Sequence, residues 1–342
     1  MTQVPGSVLQ AWSLQGSTLS EIASGLINQT FLVSNGERRW VLQCLHPIFS
    51  AEIHQNIHAV TSHLAKKGLA TPQLVPTDGG QLFEAHEQKI WRLMTYVAGE
   101  NVEQFSGPEN ARAAGALVAQ FHRALVDLDH VFVGVRKGVH DTQHHLQVLD
   151  EALDNHQDHR LYKDADALAQ KMKSMRENIL DFSSLPDRTS HGDLKCSNLM
   201  FDSDGQGLCL IDLDTLGPMP WPVELADAFR SWCAPYREDD PNIHFDLDIF
   251  EAGLDGYFTS AKNIWTDAEK DALVPAVATI CFELSSRFLA DALNESYFGY
   301  DAERYDSRGA HNLARAKSQW ALCSSVLEHQ DKLQQLVRQA TA

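Results

Sequence analysis

The pattern of hydrophobic and polar positions divides this chain into two unlike parts. The first ninety-odd residues follow the pattern of a small sheet with one helix. From Gly25 to Val33, β-branched and aromatic residues run into Asn35-Gly36, a hairpin-turn pair, and Trp40-Val41-Leu42-Gln43 reads as the return strand. Between Ala51 and Lys67 the apolar residues Ile53, Ile57, Val60 and Leu64 fall at helical spacing, and Gly68 ends that helix. A further hairpin is expected around Asp78-Gly79-Gly80, leading into a strand over 90–97. Ala98-Gly99-Glu100 then reads as a hinge, which divides the chain into lobes 1–97 and 98–342.

Beyond the hinge the helical period dominates. Ser106-Gly107-Pro108-Glu109 has the signature of a capping box, opening a helix that buries Ala113, Leu117 and Phe121. The polar segment 127–160 reads as loop plus helix, and helices are expected near 224–234, 244–260, 267–294 and 310–338. The fold class is α+β: a small antiparallel-sheet lobe over a mainly helical lobe, with a cleft. A chain of 342 residues is long enough for both.

Composition narrows the functional classes. A hydrophobic content of 44% fits a globular protein. No basic start followed by an apolar run suggests a signal peptide, and no apolar stretch approaches the roughly 20 residues that span a bilayer. Six cysteines without a C-x-x-C pair suit free thiols in a reduced cytoplasm. The net charge of −18 argues against nucleic acid or an anionic membrane as partner. It could favour a cationic substrate, although a solvated acidic surface is the better explanation.

The densest chemistry is His191-Gly192-Asp193-Leu194-Lys195-Cys196-Ser197-Asn198, followed by Leu210-Ile211-Asp212-Leu213-Asp214. An Asp, an Asn five residues on and an Asp fourteen beyond that suit phosphoryl transfer from ATP. Asp193 would accept the acceptor hydroxyl's proton. The Asn198 oxygen and the Asp212 carboxylate are hard ligands of the kind Mg²⁺ prefers. Leu199-Met200-Phe201 and Leu208-Cys209-Leu210-Ile211 read as strands flanking the turn 202–207, so strand pairing would bring Asn198 and Asp212 together. Histidines 140, 144, 145, 156 and 159 invite a zinc site, since His140 and His144 are i, i+4. No thiolate or second cluster accompanies them, and a solvated polar segment is the better account.

On these motifs the chain resembles the aminoglycoside phosphotransferase and choline kinase superfamily, a branch of the protein-kinase-like fold. Within it, Gly25 to Phe31, Val41-Leu42-Gln43, Arg287 to Leu293 with Tyr297-Phe298, and His311 to Arg315 are similar to N-acetylhexosamine 1-kinases. The resemblance implies a two-lobe kinase of a small molecule, a sugar or an amino alcohol, using ATP and Mg²⁺. Its leading acceptor is the anomeric hydroxyl of an N-acetylhexosamine; an amino alcohol, amino acid or aminoglycoside is the alternative, and a catalytically silent nucleotide-binding module a third.

The resemblance also carries residue roles. Lys195 would steady the transferring phosphoryl group. The turn from Gly25 through Asn28 to Thr30 would cover the phosphates, and Thr95, Tyr96 and Val97 would hold adenine. Asp214 would meet a second metal or a sugar hydroxyl, or simply cap its loop. Arg287 and Asp291, on one helix face, would bind the sugar with Tyr297, an exposed ion pair being the plain reading. Asp227 would hydrogen-bond the catalytic-loop backbone, and His191 would be structural. Gln43 stands where many kinases carry a lysine, which would shift phosphate neutralisation onto Mg²⁺ and Lys195. Asn56 is the expected polar partner of Gln43, with Glu52 its rival.

Overall fold

The computed structural model describes residues 4–22, 28–136, 138–176, 179–234 and 237–342. A short helix α1 (Gly6–Gln10) precedes β1 (Thr18–Ile22), β2 (Gln29–Asn35), β3 (Arg38–Cys44), helix α2 (Ile53–Lys66), β4 (Leu74–Val75), β5 (Glu84–His86) and β6 (Lys89–Thr95). The strands form an antiparallel sheet in the order β1-β2-β3-β6-β4, with β5 also on β6. Because successive strand residues point to opposite faces, one register sorts both faces. Phe31, Leu42 and Leu93 are cross-strand neighbours and sink, with Val33, Trp91, Val8 and Trp12, into a small core. One residue away, Thr30, Gln43 and Arg92 form a second cross-strand row on the other face.

Helix α1, which covers the apolar face, has five residues, too few to show a period. The turn at Asp78 to Gly80 does not close the expected hairpin: β4 and β5 both pair with β6. The β5–β6 hairpin turns instead at Glu87, whose φ is 54°.

The remaining elements are β7 (Glu100–Asn101), α3 (Pro108–Leu125), α4 (Thr142–Asn155), α5 (Tyr162–Arg176), β8 (Arg188–Ser190), β9 (Leu199–Phe201), β10 (Gly207–Leu210), β11 (Gly217–Met219), α6 (Trp221–Trp232), α7 (Leu247–Ala261), α8 (Asp267–Asn294), α9 (Arg308–Glu328) and α10 (Gln330–Thr341). Two small sheets, β10-β9-β7 and β11-β8, carry the loops of the site. The larger core gathers helices α3 to α10 and also takes in Ile53, Ile57, Val60 and Leu64 of α2. Helices α3 and α7 pack so closely that a Cβ added at Gly256 would lie 2.0 Å from the Arg112 carbonyl oxygen.

Several local expectations are corrected. Helix α3 opens without a capping box: Gly107 is its N-cap, and Ser106 bonds Asn110 Oδ1 instead, at 2.6 Å through Oγ. Ala113 is only half-buried. A capping box does open α8, between Thr266 and Glu269. That 28-residue helix is long and apolar enough to cross a membrane by length and composition, contrary to the sequence expectation. However, 83% of its apolar window is buried in the fold, as in a core helix. The helix expected over 310–338 is two, divided at His329, and α5 had no counterpart in the sequence reading.

Candidate active site

The loop after β8 is built around three side chains that close on one another. Lys195 Nζ donates to Asp193 Oδ2 at 2.7 Å, and Asn198 Nδ2 donates to the same oxygen at 3.0 Å and to the Asp193 carbonyl at 2.9 Å. Both side-chain bonds land on Oδ2, so Oδ1 is the oxygen left to receive a proton. With its nitrogen engaged, Asn198 keeps its amide oxygen for a cation. The β9–β10 hairpin forms as expected, its turn held by Asp202 Oδ1 accepting the Asp204 and Gln206 amides, each at 2.9 Å. Ile211 N then donates to Asn198 O at 2.9 Å, which brings Asp212 beside Asn198.

Asp212 has φ 61° and ψ 60°, a left-handed backbone uncommon outside glycine. Burial and then Asp214 push its carboxyl above the ordinary value. Burial opposes the charge of Lys195, but Asp193, Asp212 and Asp227 outweigh it and hold the ammonium above its usual value. Among the described residues no three His, Cys, Asp or Glu side chains form a metal cage. One carboxylate and one amide oxygen nonetheless fit Mg²⁺, which binds nucleotides through one or two protein oxygens plus phosphates and water.

A buried clamp fixes the loop. Glu224 Oε1 accepts the His191 and Gly192 amides at 2.5 and 2.9 Å. Its Oε2 meets His122 Nε2 at 2.7 Å, and His122 Nδ1 meets Tyr257 Oη at 2.7 Å. Burial alone would raise the Glu224 carboxyl, but the His122 charge and these bonds hold it below the ordinary value. Glu224 therefore does what was expected of Asp227, one helical turn later, which pairs with Arg230 at 2.8 Å. The signal was an acid at both positions; only the α6 geometry chooses between them. His191 packs beneath the loop, its Nε2 2.9 Å from Ile211 O.

The polar row of the large sheet meets this loop in a closed ring of bonds. Asn28 Nδ2 donates to Asp214 Oδ2 at 2.5 Å, and Arg92 donates to Asp214 Oδ1. Arg92 Nε donates to Gln43 Oε1 at 2.9 Å, Gln43 Nε2 to Thr30 Oγ1 at 3.2 Å, and Thr30 Oγ1 back to Asn28 O at 3.3 Å. The expected Gln43–Asn56 contact is absent: Asn56 bonds the Val133 backbone and His130, and Glu52 bonds Ser50. Arg92 was missed, although a lone cation inside an apolar strand was the available signal. Gly25 lies outside the described residues. Thr95 ends β6, bonding the Gln73 backbone at 2.9 Å; Arg39 stacks 4.2 Å over the Tyr96 ring, and half-buried Val97 follows.

Asp214 also lines a cavity of about 820 Å³ with Gly192, Thr215, Arg136, His140, Asp141 and Asp181. Arg287, Asp291 and Tyr297 line a neighbouring one of about 330 Å³, and Arg136, Gly138 and Val139 border both. Asp291 closes the turn after α8: its oxygens accept the Ser296, Tyr297 and Phe298 amides and Asn312 Nδ2, at 2.8–2.9 Å. No ion pair joins it to Arg287, which stacks 5.7 Å from the Phe298 ring; Tyr297 is exposed. Among the described residues the histidines do not gather into a group of three metal ligands. His140 meets Glu283, His145 the Val139 carbonyl, and His156 Asn294, each at 3.0 Å, while His159 pairs with Glu295.

Residues 18–259 match the phosphotransferase enzyme family, APH. The chain belongs to that family. A homoserine kinase of Methylobacillus flagellatus is 26% identical over 306 residues, 87% of each chain. One from Methylobacillus glycogenes is 30% identical over 141 residues, but there the match spans only 43% of the relative's length. Among solved structures, an amicoumacin kinase in complex with AMP-PNP and Ca²⁺ superposes with a TM-score of 0.65 at 15% identity, covering 91% of this chain and 90% of that one. A microcompartment-associated aminopropanol kinase gives 0.63 at 16%, covering 96% and 97%. The fold is protein-kinase-like, and the chain is a small-molecule phosphotransferase of this family.

Proposed function

We propose that the protein transfers the γ-phosphoryl group of ATP to a hydroxyl of a small amino acid or amino alcohol. The observation that carries the reaction is the convergence of Lys195 and Asn198 on one oxygen of Asp193, with Asp212 alongside. Asp193 Oδ1 takes the hydroxyl proton as the oxygen attacks. Lys195, held charged, steadies the phosphoryl oxygens, and Asn198 and Asp212 would hold Mg²⁺. Mg²⁺ supplies neutralisation of the phosphate charge when bound. Gly25, Asn28, Thr30 and Gln43 would lie along the phosphates, and Thr95, Tyr96 and Val97 beside adenine, in a nucleotide lobe of residues 1–97 facing an acceptor lobe of residues 98–342. Six free, buried cysteines go with a reduced cytoplasm.

The acceptor class rests on charge. Asp141 and Asp181, which line the larger cavity, could meet an ammonium, while Arg287 of the neighbouring cavity, without an ion-pair partner among the described residues, could meet a carboxylate. The homoserine kinase relatives point the same way. An N-acetylhexosamine is the second reading, favoured by the size of the larger cavity, which exceeds what a four-carbon amino acid fills. Mg²⁺-dependent ADP release over homoserine, 1-amino-2-propanol, ethanolamine, N-acetylhexosamines and an aminoglycoside tests the choice. Turnover only with the sugars would reverse it; nucleotide binding without release for any acceptor would leave a silent module.

A further inference from the structure

Arg92 sits mid-strand on β6 and is 1% exposed. A guanidinium is always charged and carries five N–H donors, so burying it demands acceptors and a counter-charge. Helix α2, which packs on the same face, supplies no acid there. His54 bonds the Ala51 carbonyl through Nδ1 at 2.7 Å, and its Nε2 has no partner among the described residues. Burial, then the charge of Arg92, lowers His54 to about 4, so it is neutral at pH 7. The ion-pair partner of Arg92 is instead Asp214, only 5% exposed and two residues past the left-handed Asp212.

We propose that Arg92 is a positioning residue for the metal loop: its salt bridge to Asp214 lets the sheet fix the loop that presents Asp212 to Mg²⁺. In many kinases a strand lysine is paired with a helix glutamate. Here the cation lies one strand over, in register with Gln43, and its anion belongs to the loop itself. Nucleotide-side geometry and metal-side geometry thus share one hydrogen-bonded ring.

The inference rests on the reading that Asn198 and Asp212 hold Mg²⁺. Arg92→Lys keeps the charge but loses the planar fork, and Asp214→Asn weakens the same bridge from the other end should the first variant fail to fold. In the full chain, the affinity for a fluorescent ATP analogue is measured with and without Mg²⁺, beside melting temperature and ADP release. Both variants should raise the half-saturating Mg²⁺ concentration by about 10- to 100-fold, the usual scale for groups behind metal ligands. Nucleotide affinity without Mg²⁺ should fall by a smaller factor than affinity with it, since Gln43 and Asn28 lose one bond each, and the double variant should be no worse than the poorer single one. A folded Arg92→Lys or Asp214→Asn with wild-type Mg²⁺ dependence overturns the role of Arg92, provided Asp212→Asn loses that dependence. Should Asp212→Asn keep it too, the metal assignment falls and the inference with it.

Discussion

Removing Glu224 tests how the catalytic loop is held. In Glu224→Ala, the His191 and Gly192 amides lose their shared acceptor, and fully buried His122 loses the acceptor of its Nε2–H. An unsatisfied buried donor costs roughly 1–3 kcal/mol. Three donors, the two amides and His122 Nε2–H, share this one carboxylate, so the total loss is about 4–6 kcal/mol. For a chain of 342 residues that is a fall in melting temperature of roughly 6–8 °C. Asp193 follows directly after the clamped Gly192, and a shift of about 1 Å in a reacting group costs on the order of 10²-fold in rate. Glu224→Gln keeps Oε1 for the two amides, and its N–H has an acceptor in His122 Nε2 when the ring carries its proton on Nδ1, toward Tyr257 Oη. It should lose only about 1–2 kcal/mol, the charge-assisted part of the bonds, and stay within about tenfold of wild-type kcat. Calorimetry and ADP release, run well below the lower melting temperature, separate folding from catalysis. An alanine variant that melts with wild type and turns over normally would refute the clamp; so would a glutamine variant as damaged as the alanine one.

Three further outcomes follow from the geometry. Asp193→Asn should lower kcat by about 10²-fold or more while nucleotide affinity is kept; a rate near wild type would remove Asp193 as the base. Gly256→Ala places a Cβ 2.0 Å from the Arg112 carbonyl oxygen and should destabilise by at least about 1–3 kcal/mol, whereas Gly6→Ala, with open space around it, should melt with wild type. Asp239 lies below its ordinary value of 3.8: burial opposes the charge, but Tyr305, Arg304 and His311 outweigh it. A depressed folded value means stability that is present above the unfolded value and lost as pH falls through the folded one. The melting temperature of wild type should therefore exceed that of Asp239→Asn at pH 7, and the gap should begin to narrow as pH falls below about 4. A gap unchanged down to pH 3 would show that this carboxylate does not carry the acid sensitivity.

The parts legible from sequence are those whose cause is local. The α2 stripe of Ile53, Ile57, Val60 and Leu64, and the hairpin joining Asn198 to Asp212, depend on residues within a few turns or one strand pair of each other. Arg92 and Glu224 were missed because their partners are 122 and 33 residues away, and no periodicity reaches that far. This changes the weight of Gln43. Read along the strand, a neutral amide in place of a lysine leaves the phosphates to Mg²⁺ and Lys195 and speaks for a silent protein. Read across the sheet, Gln43 is the middle of a row whose next member is a permanent cation with an anion already bound to it. The buried positive charge lies one strand over from Gln43 and is tied to Asp214. Loss of the strand lysine is therefore weak support for inactivity in this chain. The choice between an enzyme and a silent module turns on Asp193 and the groups that converge on it.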